Sequence, residues 1–127
     1  MMTDYLAEGV TAMKDIHQIF ARFKEEFPEV YDRHEAIGKE IHEKGGPLAE
    51  NSRWLIKIAI SAACNHKRAL ATHIKKARAA GVTDAEIKHA LLLLIPTAGF
   101  PVFMKAYSVL EGSNLKMATD PHRKTQT

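Results

Sequence analysis

Cys64, His66 and His73 lie within ten residues of one another, in or beside helical segments that are otherwise apolar. A polar side chain in such surroundings needs a hydrogen-bond partner or a chemical purpose. Neutral imidazole titrates near physiological pH, so a histidine facing a small-molecule pocket can accept or donate a proton. His66 and His73 are seven residues apart and project from nearly one face of a helix. A thiolate at Cys64 would add a nucleophile that peroxides can oxidise. The competing readings are structural: His73 as a core histidine bonded to a nearby carbonyl, and Cys64 as a small buried hydrophobe. Zinc also favours clustered Cys and His ligands. An i,i+7 pair separates its ring nitrogens by roughly 10 Å, too far to share one ion within a subunit. No metal and no organic cofactor is therefore assigned, since no Gly-rich phosphate loop is present either.

These residues must be held by helices, because helical signals run through the chain and strand signals are nearly absent. Leu6, Val10, Met13, Ile16, Ile19, Phe20 and Phe23 recur at three- and four-residue spacings, predicting a first helix capped by Thr3 or Asp4. Pro28 breaks the pattern, and a second helix from Glu29 to Lys44 carries Val30, Ile37 and Ile41 on one side. Gly45–Gly46–Pro47 ends it. The third helix is expected to be capped by Asn51 or Ser52, with Trp54, Leu55, Ile58, Ala59 and Ala62 forming an apolar stripe that reaches Cys64. Asn65–His66 reads as a corner, and a fourth helix runs from Lys67 to Ala80 with Gly81 just past its end. Thr83 and Glu86 have the spacing of a capping box for a fifth helix, Asp84 to Ile95. That helix is nearly all apolar after His89, which predicts deep burial. Pro96 and Gly99 end it, and Pro101 opens a sixth helix with Phe103, Ala106, Tyr107 and Leu110 inside. The fold class is all-α, a single domain of about six helices over residues 1–112, with 113–127 a polar tail.

With 127 residues, 46% of them apolar, the chain can bury an ordinary core. Its longest apolar run, Ala90–Ile95, is far below the ~20 residues that span a bilayer. The start of the chain has no signal-peptide pattern, and a single cysteine suits a reducing compartment, so a cytoplasmic location is expected. Net charge is a mild +3. The basic clusters Lys67–Arg68, Lys75–Lys76–Arg78 and Arg123–Lys124 have no interleaved aromatics for stacking on bases, so no nucleic acid is expected. His89 falls on the exposed side of its helix, and His17, His34 and His42 on amphipathic surface helices.

The segments GGPLAENSRWLIKIAI and ARAAGVTDAEIKHALLLLIPTAGFP, with His73 between them, resemble the carboxymuconolactone decarboxylase and alkylhydroperoxidase-D-like family of small helical proteins. The peroxidase members carry a glutamate, then Cys-x-x-Cys, then a histidine four residues after the second cysteine. Placing that histidine at His73 puts His66 and Ala69 at the two cysteine positions and Trp54 at the glutamate. A dithiol cycle cannot run in one subunit with Cys64 alone, so the chain looks closer to the decarboxylase branch. Trp54 would make the pocket more apolar, or would simply fill core or interface.

The resemblance implies a homo-oligomer, a trimer or hexamer, and a self-associating chain would also cover the apolar fifth helix. It further implies a small, carboxylated lactone-like substrate, decarboxylase-like (lyase) acid–base chemistry at His73, and His66 and Cys64 nearby. Lys57 or Arg68 would supply charge for a carboxylate. The alternatives are a peroxide-reactive protein using the single thiol of Cys64, and a non-catalytic oligomeric scaffold.

Overall fold

The computed structural model describes residues 18–118. The expected cap at Thr3 or Asp4, most of the first helix, His17, and residues 119–127 of the tail lie outside the described residues. Everything described is helix or turn, with no strand. The helices are α1 (residues 18–26), α2 (Pro28–Lys44), α3 (Glu50–Ala63), α4 (Lys67–Ala79), α5 (Asp84–Leu92), α6 (Leu94–Ala98) and α7 (Phe100–Ala118). The contacts divide the chain at Gly46–Pro47 into two compact units.

In the first unit the break falls at Phe27, because Pro28 takes the first helical position of α2, where its missing N–H costs nothing. Phe20 packs edge-on against Tyr31 at 5.6 Å, and Phe23 lies 5.9 Å from Phe27. The face carrying Val30, Ile37 and Ile41 is exposed along its length.

The second unit is organised around α3, which packs against α4, α5, α6 and α7. Its core joins Ile58 of α3, Leu70 and Ile74 of α4, Ile87 and Leu91 of α5, and Leu110 of α7, all 0–2% exposed. Truncating one of these to alanine costs about 2–5 kcal/mol. Two helix ends use the same device. At the end of α3, the His66 N–H donates to the Ser61 carbonyl (2.9 Å) and the Asn65 N–H to that of Ala62 (3.1 Å). At the end of α4, Val82 donates to Ala77 and Gly81 to Arg78, both at 3.0 Å. This pairing needs a left-handed residue just past the helix, supplied by Asn65 (φ 58) and Gly81 (φ 92).

Several expectations are corrected. Ala49, not Asn51 or Ser52, is the N-cap of α3, and no side chain caps it. The apolar run after His89 is not one buried helix. It breaks at Leu93, because Pro96 has no N–H for the Leu92 carbonyl and its ring crowds that group. Pro96 lies inside α6, and Gly99 (φ 107) ends it. Within the run Leu91 and Leu94 are buried, whereas Leu92, Leu93 and Ile95 are 50%, 57% and 36% exposed. In α7, Ala106 and Leu110 are buried but Tyr107 is exposed. The helix continues beyond Gly112 to Ala118, where Arg78 donates to Ser113 (2.7 Å) and Asn114 while pairing with Asp84 at 2.8 Å. Arg78 therefore ties three segments together and is not part of a free basic stripe.

Candidate functional site

His73 sits midway along α4, on the edge of the helix beside the buried Leu70–Ile74–Ala77 stripe, and is half-buried. Its Nδ1 is 2.9 Å from the Ser61 hydroxyl on the neighbouring α3. Ser61 is 5% exposed and is the buried polar side chain among the described residues. A hydroxyl can donate or accept, so it serves either tautomer of the ring, and in both cases it fixes the orientation of the imidazole.

Trp54 and Lys57 precede Ser61 by seven and four residues, which places all three along one edge of α3. The Trp54 ring lies 6.1 Å from that of His73, tilted by 50°. Lys57 Nζ stands 5.0 Å over the Trp54 ring. Burial pushes the Lys57 ammonium below its ordinary pKa, and the nearby charges of Lys76 and Arg53 push it further the same way. None of Arg53, Lys57 and Lys76 forms an ion pair with a described residue. The flank between α3 and α4 thus combines an oriented imidazole, an indole face and positive charge that no described carboxylate pairs with.

The other expected site residues lie elsewhere. Cys64 is the C-cap of α3 and exposed, which corrects its reading as a buried hydrophobe. Six residues beyond Ile58, Cys64 falls out of phase with the apolar stripe of α3, and the helix ends on it. His66 is the N-cap residue of α4 and also exposed. No hydrogen bond joins either residue to His73. The dimple that His66 lines with Ser61, Asn65 and Lys67 has no room for a water molecule. Ser61 was missed in the sequence. The available signal was its i+4 and i+7 register with Lys57 and Trp54.

A second concavity lies on the opposite flank of α3, a groove of about 540 Å³ against α5 and α6. Leu55, Ala59, Ile60, Ala90, Leu93 and Leu94 make most of its wall, with Glu86 and His89 at its rim. Among the described residues no three His, Cys, Asp or Glu side chains gather closely enough to hold a metal ion. No described helix is long and apolar enough to cross a membrane.

No curated protein matches the chain. Residues 28–112, which run from α2 into α7, fit the carboxymuconolactone decarboxylase family, and the chain belongs to that family.

Proposed function

We propose that the α3–α4 flank performs acid–base chemistry on a small organic substrate of the carboxylated-lactone kind, with His73 as the proton-transfer residue. The observation that supports this most directly is the Ser61–His73 hydrogen bond. A proton donor or acceptor works well only when its ring is held in one orientation, and Ser61 does this from inside the core. With Nδ1 committed to Ser61, the proton moves at Nε2. In a decarboxylation, the electrons of the breaking C–C bond remain on carbon as carbon dioxide leaves, and that carbon takes its proton from Nε2–H. Trp54, in the position of the peroxidase glutamate, supplies an apolar wall for the substrate ring. Cys64 and His66 then contribute no reacting atom. The test is a screen of small carboxylated lactones with wild type, His73→Gln and Cys64→Ala. Turnover that survives His73→Gln in a folded protein would remove His73 from the chemistry, and no turnover by wild type on any of these lactones would leave the non-catalytic scaffold reading in its place.

The exposure of Cys64 favours one second reading. A thiol at an open helix end can meet a peroxide and then a small thiol or a partner subunit's cysteine. Peroxide consumption that Cys64→Ala abolishes and His73→Gln spares would support it.

Self-association belongs to the same proposal. The groove on the other flank of α3, with Ile60 and Leu93 each 57% exposed, is apolar surface of the kind subunit interfaces cover. The family resemblance points to a trimer or hexamer.

A further inference from the structure

Three cations lie on the helices that carry Trp54 and His73 with no ion-pair partner among the described residues. Arg53 and Lys57 are one turn apart on α3, and Lys76 is one turn beyond His73 on α4. Like charges so placed repel, yet none of the three is neutralised by a described carboxylate. Lys57 does not extend into water but lies half-buried over the Trp54 ring. The Nε of Arg53 is shielded from solvent and has no hydrogen-bond acceptor, while its Nη1 donates to the Leu48 carbonyl. A shielded, unsatisfied donor beside a partly desolvated ammonium describes a site lacking its anion. Lys76, in the last turn of α4, also complements the helix dipole, but that role asks nothing of Lys57 or Arg53.

We propose that Arg53, Lys57 and Lys76 form an anion-binding subsite that takes the carboxylate of a small organic acid and holds it beside Trp54 and His73. The proposal rests on the reading of His73 as the proton-transfer residue, and adds the groups that select and orient the substrate. A carboxylate is acceptor-only, with two oxygens that can face ammonium groups from both helices at once. Phosphate sites favour a free arginine fork or a helix N-terminus aimed at the ligand. Here one arm of Arg53 is committed to Leu48, and His73 lies midway along α4, away from its N-terminus. The indole face beside Lys57 covers the apolar body of the acid.

Trp54 is the one tryptophan of the chain, so fluorescence excited beyond the tyrosine absorption reports this flank. The full chain is titrated with benzoate, with its neutral isostere benzamide and with inorganic phosphate, at constant ionic strength. Benzoate should change the emission saturably in roughly the millimolar range, and benzamide and phosphate should not. Lys57→Met and Lys76→Met should each weaken benzoate by about tenfold, the size expected for one charge-assisted contact. Lys57→Arg should recover most of the loss, which separates charge from packing, and circular dichroism checks the fold. Benzamide or phosphate binding as well as benzoate overturns the proposal, as do unaltered affinities in both methionine variants. His73→Gln separates this proposal from the reading it rests on. If His73→Gln keeps turnover while Lys57→Met loses benzoate, the acid–base reading falls and the subsite stands. If turnover needs His73 but benzoate does not bind, the subsite alone falls.

Discussion

Helix α3 presents Trp54, Lys57 and Ser61 on one flank and Leu55, Ala59 and Ile60 on the other, with Ile58 and Ala62 buried between them. On the first flank the contacts are directional: a hydroxyl on an imidazole, an ammonium over an indole, and a guanidinium on a carbonyl. On the second there is shape and apolar area, bounded by Glu86 and His89 at the rim. Directional contacts fix a few atoms in place, as chemistry requires. Apolar area without direction instead suits burial against another surface. Helix α3 therefore separates a face of directional contacts from an apolar face, and each can be altered without touching the other.

The largest effect should come from His73→Gln. General acid–base assistance is typically worth about 10²–10⁴ in rate, so turnover of a lactone substrate should fall by that factor. Stability should fall by about 1 kcal/mol through the lost Ser61 hydrogen bond, too little to unfold the protein. Steady-state kinetics on the purified variant checks this, and a loss under threefold would remove His73 from the mechanism.

The opposite flank should respond in mass rather than rate. Ile60→Asp with Leu93→Asp places charge on two residues that are each 57% exposed in the single chain. Each substitution should weaken self-association by about tenfold or more, from lost apolar burial alone. Sedimentation velocity should show the assembly dissociating, while each chain keeps its helical spectrum. If wild type is already a monomer at micromolar concentration, the associating face has been misread.

What the sequence made legible was local. The capping box at Thr83–Glu86, the corner at Asn65 and the stop at Gly81 each depend on residues a few positions apart, and all three appear in the structure. The run Ala90–Ile95 misled because six apolar residues in a row carry no periodicity to say which are covered. The break follows from Pro96 acting on the carbonyl four residues before it, while Leu92 and Leu93 are exposed because they lie off the face that Ile87, Leu91 and Leu94 bury. His73 was readable as a polar residue on an otherwise apolar stripe. Ser61 was not, because a serine within a helix is unremarkable until its partner twelve residues away is brought against it. The same holds for the positive cluster, which α3 and α4 assemble only by packing together.

Ser61→Ala tests that unseen partner, and its effect should be smaller than removing His73 itself. The imidazole keeps its position but loses the group that orients Nδ1, so turnover should fall by about tenfold. Stability should fall by about 1 kcal/mol, the net worth of one such hydrogen bond. Chemical denaturation and kinetics on one preparation measure both. A stability loss with unchanged turnover would make Ser61 purely structural.

The smallest effects separate the two flanks by the sign of their pH dependence. Glu86, at the rim of the groove, accepts hydrogen bonds from the Thr83 backbone N–H and hydroxyl, both at 2.9 Å, and these hold its carboxyl below its ordinary value of 4.5. The folded state therefore binds the Glu86 proton less readily than the unfolded chain. The contribution is present above the ordinary value and is lost as pH falls through the folded one. Lys57 runs the other way. Burial, then Lys76 and Arg53, hold its folded pKa below 10.5, so the unfolded chain binds more protons between the two values. Stability should rise with pH across that window as the strained ammonium loses its charge. Urea denaturation over roughly pH 3–5 and pH 9–11 measures both limbs, which bracket the ordinary carboxylate and ammonium ranges. Glu86→Gln should flatten the acid limb, and Lys57→Met should flatten the alkaline one while raising stability at neutral pH. Benzoate should have no effect on the first limb and should remove the second, because an anion beside Lys57 restores the preference for its charged form. An alkaline limb unchanged by Lys57→Met would mean that the positive cluster carries no strain, and the contrast between the flanks would then rest on His73 and Ser61 alone.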